Sequence, residues 1–518
     1  FTASCLFRGA ETLTNAADRS FTLAGGASKS FTGLPTGAAC TVRETGTSGA
    51  ASTDVTITQG ASTQTGSSTA AFTLVPGGAS ATTVAFTNHY TVGSLEITKT
   101  VTGTGADLWG GGDFDLSLTC TLTEANPNQV YSAMKTVSKA HPVWTIENLP
   151  TGAQCQVSEP RTGGANSTTI SNGGVATIGS GTVAKTAVTN TFTLGAVAVS
   201  KKLTLDGSPT TDAPWTQGTY TVKLTCARDF DGDGSAEAIA IPHGATRTIT
   251  GAGSVTYTDL PTGAACTVAE TGSSPAAQST TISPSGGATV GSDPGTPQAL
   301  SVTNEFKTST LSVLKQLEGV GQASFGSGPF TFAITCTLPG AADPVYTHTV
   351  KLTRASGSTD TSLRKDGLGP IPFGAECTIT ETDRGGADAT PEPVTLTIAA
   401  DAAANVATFT NQFSAGTVWL AKTLAGAAKG EAWATGATFG VLVTCQVEVD
   451  GVRGTVFSRE VSIAGGVRLN VTDAGGAASR VPLGSHCWIG TETDSQGATS
   501  TTLDQHDWNT APVVTAGS

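Results

Sequence analysis

Charge and aromatic side chains are both scarce in this chain. Only 13% of the 518 residues are charged, 6% are aromatic, and there is a single methionine. Lys and Arg total 27 against 40 Asp and Glu, a formal charge of −13. That balance excludes a nucleic-acid partner, because phosphate binding needs clustered basic residues. Long apolar runs are missing too; none approaches the roughly 20 residues of a spanning helix. The six histidines share no recurring position, and no Ser/His/Asp set recurs, so hydrolytic catalysis has no support. No CxxC pair or Cys/His grouping suggests zinc. The Gly-rich stretch GVGQASFGSG at 319–328 lacks the strand–helix context of a phosphate loop. Strong helix formers at helical spacing are rare.

Short β-branched runs broken by Gly, Pro, Asn and Asp fill the chain instead, the pattern of all-β sandwiches. A length of 518 residues is too great for one core and implies three to five domains. Because the chain begins at Phe1, it reads as a mature fragment of something longer. The ten cysteines fall into five pairs: Cys5–Cys40, Cys120–Cys155, Cys226–Cys266, Cys336–Cys377 and Cys445–Cys487. An even count at regular spacing reads as disulfides, hence an oxidising, extracellular setting; reduced, buried cysteines are the alternative.

One segment recurs around the second cysteine of each pair. LPTGAACTVRETG at 34–46 returns as NLPTGAQCQVSEP at 148–160, DLPTGAACTVAETG at 259–272 and IPFGAECTITETD at 371–383. The period is 110 to 115 residues, the length of a whole domain. The expected repeats are 1–90, 91–192, 193–306, 307–413 and 414–518. Each begins with an apolar strand carrying lysine, such as SLEITKTV at 94–101, and closes with a strand carrying asparagine and then an aromatic, such as VAFTNHY at 84–90. From each asparagine to the next lysine is 11 residues at all four junctions, Asn88–Lys99, Asn190–Lys201, Asn304–Lys315 and Asn411–Lys422. A flexible linker would vary. The constancy predicts domains stacked end to end, each roughly 40 Å long, in a rod of order 200 Å. Within this scheme LPTGA is a turn leading into the cysteine strand rather than a sorting signal.

Residues two apart in a strand share a face. Cys40 and Val42 therefore carry Glu44 inward, and the same parity holds for Glu159, Glu270 and Glu381. Leu95 and Ile97 carry Lys99 inward; Lys201, Lys315 and Lys422 follow the same rule. Asn88, Asn190, Asn304 and Asn411 face the core on the last strands. Burying such groups unpaired costs several kcal/mol, so they are expected to meet.

A lysine on the first strand, a glutamate in an LPxG…E segment and an asparagine on the last strand resemble the B-type repeats of Gram-positive collagen adhesins and pilins. They also resemble repeat domains of actinobacterial surface proteins. The resemblance covers essentially all 518 residues. It implies five tandem immunoglobulin-like β-sandwiches of the prealbumin-like, reverse-Ig type. It further implies isopeptide cross-links Lys99–Asn190, Lys201–Asn304 and Lys315–Asn411, promoted by Glu159, Glu270 and Glu381. The chemistry is consistent: a desolvated lysine is a neutral nucleophile, and a desolvated glutamic acid can shuttle protons as ammonia leaves. Each site would turn over once, so the protein is not an enzyme in the usual sense. A hydrogen-bonded cluster without a covalent bond is the alternative.

The end repeats depart from the pattern. Glu44 and Asn88 have no lysine strand, which would precede Phe1, and the asparagine that Lys422 and Glu492 need would fall past Ser518. Glu492 also comes one residue late after Cys487, a shift that a β-bulge at Gly490 would correct. Asp229, Asp231, Asp233 and Glu237 in DFDGDGSAE match the first part of a calcium loop, but Ala240 stands where its last acidic ligand belongs. A plain acidic hairpin turn, where Asp-Gly is common for turn geometry alone, is the favoured reading. No cofactor is expected other than calcium at this loop. The leading functional expectation is a stalk of an extracellular adhesin or fibre, at the cell surface or attached to the cell wall, holding a binding head outside this segment and partnered by its own neighbouring repeats. Repeats that grip a host or surface ligand directly, and a polymerising pilin-like subunit, are the alternatives.

Overall fold

The computed structural model describes residues 1–76, 81–123, 128–449, 451–471 and 480–515. Strand is the main regular structure, with three four-residue α-helices, Ala16–Arg19, Gln322–Phe325 and Ala432–Thr435, among the described residues. The second of these falls inside the Gly-rich stretch at 319–328.

Residues 91–192 show how one repeat is built. The lysine strand, Val92–Thr102, buries alternate residues: Gly93, Leu95, Ile97 and Lys99 point in, while Ser94, Glu96 and Thr98 point out. One sheet runs in the order Val143–Pro150, Val92–Thr102, Val183–Thr191, Ser167–Ile170. The facing sheet runs Gln129–Ser138, Asp113–Thr121, Gln154–Arg161, Val175–Thr177. In the first sheet the lysine and asparagine strands are parallel neighbours, Lys99 opposite Val188 and Val101 opposite Asn190. The parallel pairing recurs with Lys201 opposite Val302 and Lys315 opposite Phe409. In the second sheet the two cysteines of each pair lie directly across an antiparallel ladder, as Cys120 does from Cys155. All five disulfides are formed: Cys5–Cys40, Cys120–Cys155, Cys226–Cys266, Cys336–Cys377 and Cys445–Cys487.

Among the described residues every hydrophobic cluster is drawn from a single repeat. The architecture is five immunoglobulin-like sandwiches in tandem. In the first, the asparagine strand Thr83–His89 pairs with Ser52–Gln59 and with no other strand among the described residues. In the fifth, the lysine-bearing segment pairs with Arg468–Asn470 and has no parallel partner among the described residues. Beside it opens a cavity of about 520 Å³ lined by Leu420, Lys422, Val441, Ile463 and Glu492.

Candidate functional site

The two sheets bring lysine, glutamate and asparagine together in the core of each complete repeat. Lys99 Nζ lies 2.6 Å from Glu159 Oε1, and both side chains are fully buried. Asn190 Nδ2 donates to the same carboxylate at 3.1 Å. In the next repeat Glu270 pairs with Lys201 and accepts from Asn304 Nδ2 at 2.7 Å. In the fourth, Lys315 Nζ donates to Glu381 Oε2 at 2.9 Å and Asn411 Nδ2 to Glu381 Oε1 at 3.0 Å. The glutamate thus bridges amine and amide in all three.

Burial drives the electrostatics. Desolvation lowers the Lys99, Lys201 and Lys315 amines from their ordinary value, and hydrogen bonding and charge attraction from Glu159, Glu270 and Glu381 respectively only partly offset it. Desolvation likewise raises the Glu381 carboxyl, against the opposing pull of Lys315. Both members of this last pair are pushed toward their neutral forms. That combination favours the uncharged amine and the uncharged acid side by side.

Three features of the site went unread in the sequence. First, an aromatic ring floors each lysine: Phe114 at 4.4 Å, Tyr220 at 4.7 Å, Phe330 at 5.1 Å and, under Lys422, Phe439 at 4.3 Å. Each stands six residues before the first cysteine of its pair, on the same strand face, a spacing visible in hindsight. Second, the glutamate strand is bulged immediately after the glutamate. The ladder skips at Thr271, Thr382 and Thr493, and in repeat 2 Glu159 and Pro160 share one opposing position. Such a bulge bends the strand, and the residue three after the glutamate meets the asparagine amide: Thr162 O at 2.9 Å, Ser273 Oγ at 3.2 Å, Arg384 O at 3.0 Å. Third, a threonine hydroxyl donates to the asparagine carbonyl, Thr168 to Asn190 Oδ1 at 2.8 Å and Thr280 to Asn304 Oδ1 at 2.9 Å. Such a bond holds the amide in one orientation and draws electron density from the carbonyl carbon. In repeat 4 the corresponding Thr390 instead accepts from Arg384 Nη1 at 3.4 Å, next to Pro391, and Asn411 Oδ1 has no hydrogen-bond partner among the described residues.

In repeat 1, Asn88 Nδ2 donates to Glu44 Oε1 at 2.9 Å and Thr53 donates to Asn88 Oδ1 at 2.6 Å. Glu44 Oε2 is buried without a hydrogen-bond partner among the described residues. In repeat 5 the ladder places Thr491 opposite Leu442 and Ile489 opposite Val443, so Gly490 is the extra residue that turns Glu492 inward. Glu492 pairs with Lys422, and its other oxygen accepts from the Thr501 hydroxyl.

The acidic loop forms no part of these cores. One carboxylate oxygen from each of Asp229, Asp231, Asp233 and Glu237 lies within 4.8 Å of the others. Asp229 accepts the Gly232 and Gly234 amides, Asp231 that of Asp233, Asp233 that of Ser235, and Glu237 that of Phe230.

Fold and site together define a tandem array of immunoglobulin-like sandwiches, each complete repeat holding a buried Lys–Glu–Asn trio. The chain belongs to the family described as domain of unknown function (DUF5979), which matches residues 1–91, 95–193, 197–307, 311–414 and 418–518. Curated proteins contain no significant match to the sequence. Among solved structures, the Bacillus anthracis TIE protein aligns at 13% identity and a TM-score of 0.29, over 73% of this chain and 58% of its own. Two B repeat units of the collagen binding protein of Staphylococcus aureus align at 14% identity and a TM-score of 0.18, over 80% and 97%. A major pilin (T-13) of Streptococcus pyogenes aligns at 13% and 0.24, over 42% and 97%. No helix among the described residues is long and apolar enough to cross a membrane.

Proposed function

We propose that this chain is a load-bearing stalk segment of an extracellular surface adhesin or fibre, its complete repeats locked by Lys–Asn isopeptide bonds. The observation that carries the reading is the threefold recurrence of one buried arrangement, an amine and a primary amide on the same carboxyl group. A structural role alone would not require it, since an apolar trio of similar volume would serve stability as well or better. In the reaction the neutral lysine Nζ attacks the asparagine Cγ. A C–N bond forms, the bond to Nδ2 breaks, and the glutamate carries the amine's proton to the departing nitrogen. Lysine amine plus asparagine amide become one secondary amide and one ammonia, with no oxidant or other reactant. The apolar and aromatic walls keep water from competing.

The mechanical consequence follows from topology. The lysine strand is where the chain enters a repeat and the asparagine strand is where it leaves, and the two are hydrogen-bonded neighbours. A bond between them carries tension from one junction to the next without loading the rest of the sandwich. Five disulfides fit the oxidising space outside the cell. Intact mass tests the chemistry. The expected result is five disulfides and the loss of three ammonia molecules; five disulfides with no ammonia lost rejects the cross-links. Reproducible binding of the purified chain to particular glycans or matrix proteins on an array would instead favour repeats that grip a ligand themselves.

A further inference from the structure

Because hydrophobic clusters stay within repeats, the angle between neighbours is controlled at the junctions, and there one linker residue is decisive. It stands three positions after each asparagine: Thr91, Thr193, Lys307 and Ser414. Its carbonyl accepts an amide from the LPxG turn of the following repeat, from Thr151 at 3.0 Å, Thr262 at 3.1 Å, Phe373 at 3.0 Å and Leu483 at 3.2 Å. That contact is present at all four junctions. The recurring LPxG turn therefore leads into the cysteine strand and also grips the preceding linker.

The other side of the linker residue is not uniform. Thr193 N–H donates to Asn166 Oδ1 at 2.8 Å, Lys307 N–H to Gln278 Oε1 at 2.8 Å, and Ser414 N–H to both Asp388 oxygens at 3.1 Å. These acceptors occupy one structural position, since the amide of each donates to the residue just after the asparagine, Thr191, Glu305 or Gln412. In repeat 1 that position is Ala51, whose amide donates to His89 O at 2.8 Å and whose side chain offers no acceptor. A second clamp takes the next amide along. Leu194 N–H donates to Thr104 Oγ1 and Thr308 N–H to Asp206 Oδ1, both at 3.1 Å. Thr104 and Asp206 each stand five residues after the lysine; in repeat 4 that residue is Val320. Junction 2–3 has two more ties. Asn166 Nδ2 reaches Thr262 O at 3.2 Å, and Trp109 stacks on Phe230 while donating to Asp259 O at 3.0 Å.

We infer that the junctions are hinges graded by the number of side chains that clamp the linker, stiffest between repeats 2 and 3, then 3–4, then 4–5, and softest between 1 and 2, where Ala51 leaves the linker amide without an acceptor. Where both peptide planes of the linker residue are held, one by each repeat, its φ and ψ cannot turn without breaking a hydrogen bond. At Thr91 the carbonyl and the hydroxyl are both held by Thr151 of repeat 2, while no hydrogen bond among the described residues ties its amide to repeat 1, so the repeat before it swings. The grading holds whether or not the isopeptide bonds form, because none of these contacts involves the trios.

The test uses the whole 518-residue chain, with amide hydrogen exchange at residue resolution and electron micrographs of single molecules. The Thr193, Lys307 and Ser414 amides are expected to exchange at least several-fold more slowly than that of Thr91, and bend angles to spread most widely at junction 1–2. Asp388→Ala is expected to speed exchange at Ser414 about tenfold, in line with loss of a charge-assisted hydrogen bond, and to widen bending at junction 4–5. Ala51→Asn is expected to slow exchange at Thr91 about fivefold and to narrow junction 1–2. Unchanged exchange in the cysteine strands serves as the check on folding. Equal spread at junctions 1–2 and 2–3, or an Ala51→Asn chain indistinguishable from the parent, overturns the grading.

Discussion

Replacing Glu381 with glutamine in repeat 4 separates the covalent reading from the hydrogen-bonded one. Glutamine keeps the shape and can still meet Lys315 and Asn411, but it cannot carry a proton from amine to leaving group. The cross-link at this repeat should then fail, while repeats 2 and 3 act as controls in the same molecule. The thermodynamic consequence is calculable. A Lys315–Asn411 bond closes a loop of 96 residues, of which Cys336–Cys377 already bypasses 41. In the chain-entropy model the remaining loop contributes about 4 kcal/mol by restricting the unfolded chain. For a unit of this size that corresponds to a fall in Tm of about 15–30 °C, treating the repeat as two-state. The assays are proteolytic mapping of the Lys315–Asn411 peptide by mass spectrometry and calorimetry of the intact chain. Recovery of that peptide from Glu381→Gln at the parental yield would refute the proton-transfer role. Its absence from the parent would refute the bond itself.

Thr280→Val should slow ammonia loss at repeat 3 during refolding by about a hundredfold, as expected for losing a donor to the reacting carbonyl, without affecting repeat 2; equal rates at both sites would show that the threonine only fills space. Repeat 4, whose asparagine carbonyl lacks that donor, should form its bond more slowly than repeats 2 and 3 in the same time course. An Asn411→Ala chain leaves Lys315 and Glu381 buried and uncross-linked, and its pH dependence follows from their shifts. Lys315 is held below its unfolded value of 10.5, so its stability contribution is lost as pH falls from there toward the folded value. Glu381 is held above 4.5, so its contribution is lost as pH rises from there toward its folded value. Stability relative to a Lys315→Met, Glu381→Leu companion on the same Asn411→Ala background should therefore be lowest near neutral pH and recover in both directions; a maximum near neutrality in denaturant titrations would contradict it. Removing Cys336–Cys377 by paired alanines should cost about 4 kcal/mol for its 41-residue loop, read as a lower Tm for repeat 4.

Much of this protein was legible before any coordinates. Strand parity alone turned Lys99, Glu159 and Asn190 inward, because alternation in a strand is a local property and each residue follows an apolar one two positions before it, Ile97, Val157 and Val188. Disulfide pairing was legible through repetition, five pairs at similar separations of 35 to 42 residues leaving little freedom. The late Glu492 was legible as a bulge because one extra residue reverses a side chain's face.

What the linear sequence determined is the set of periodic, local features: the repeat, the strands, the inward faces and the cysteine pairs. Tertiary structure alone decided how distant segments meet. The parallel pairing of the lysine and asparagine strands, the aromatic ring under each amine, the bulge that curls the glutamate strand toward the asparagine and the threonine on the amide carbonyl all depend on contacts between strands far apart in the chain. The same holds for the junctions. Asn166, Gln278 and Asp388 look like ordinary loop residues, and Ala51 like a trivial difference, until the fold places each beside the linker amide. A hydrogen bond depends on two groups being brought within 3 Å or so of each other, and only the folded chain sets that distance.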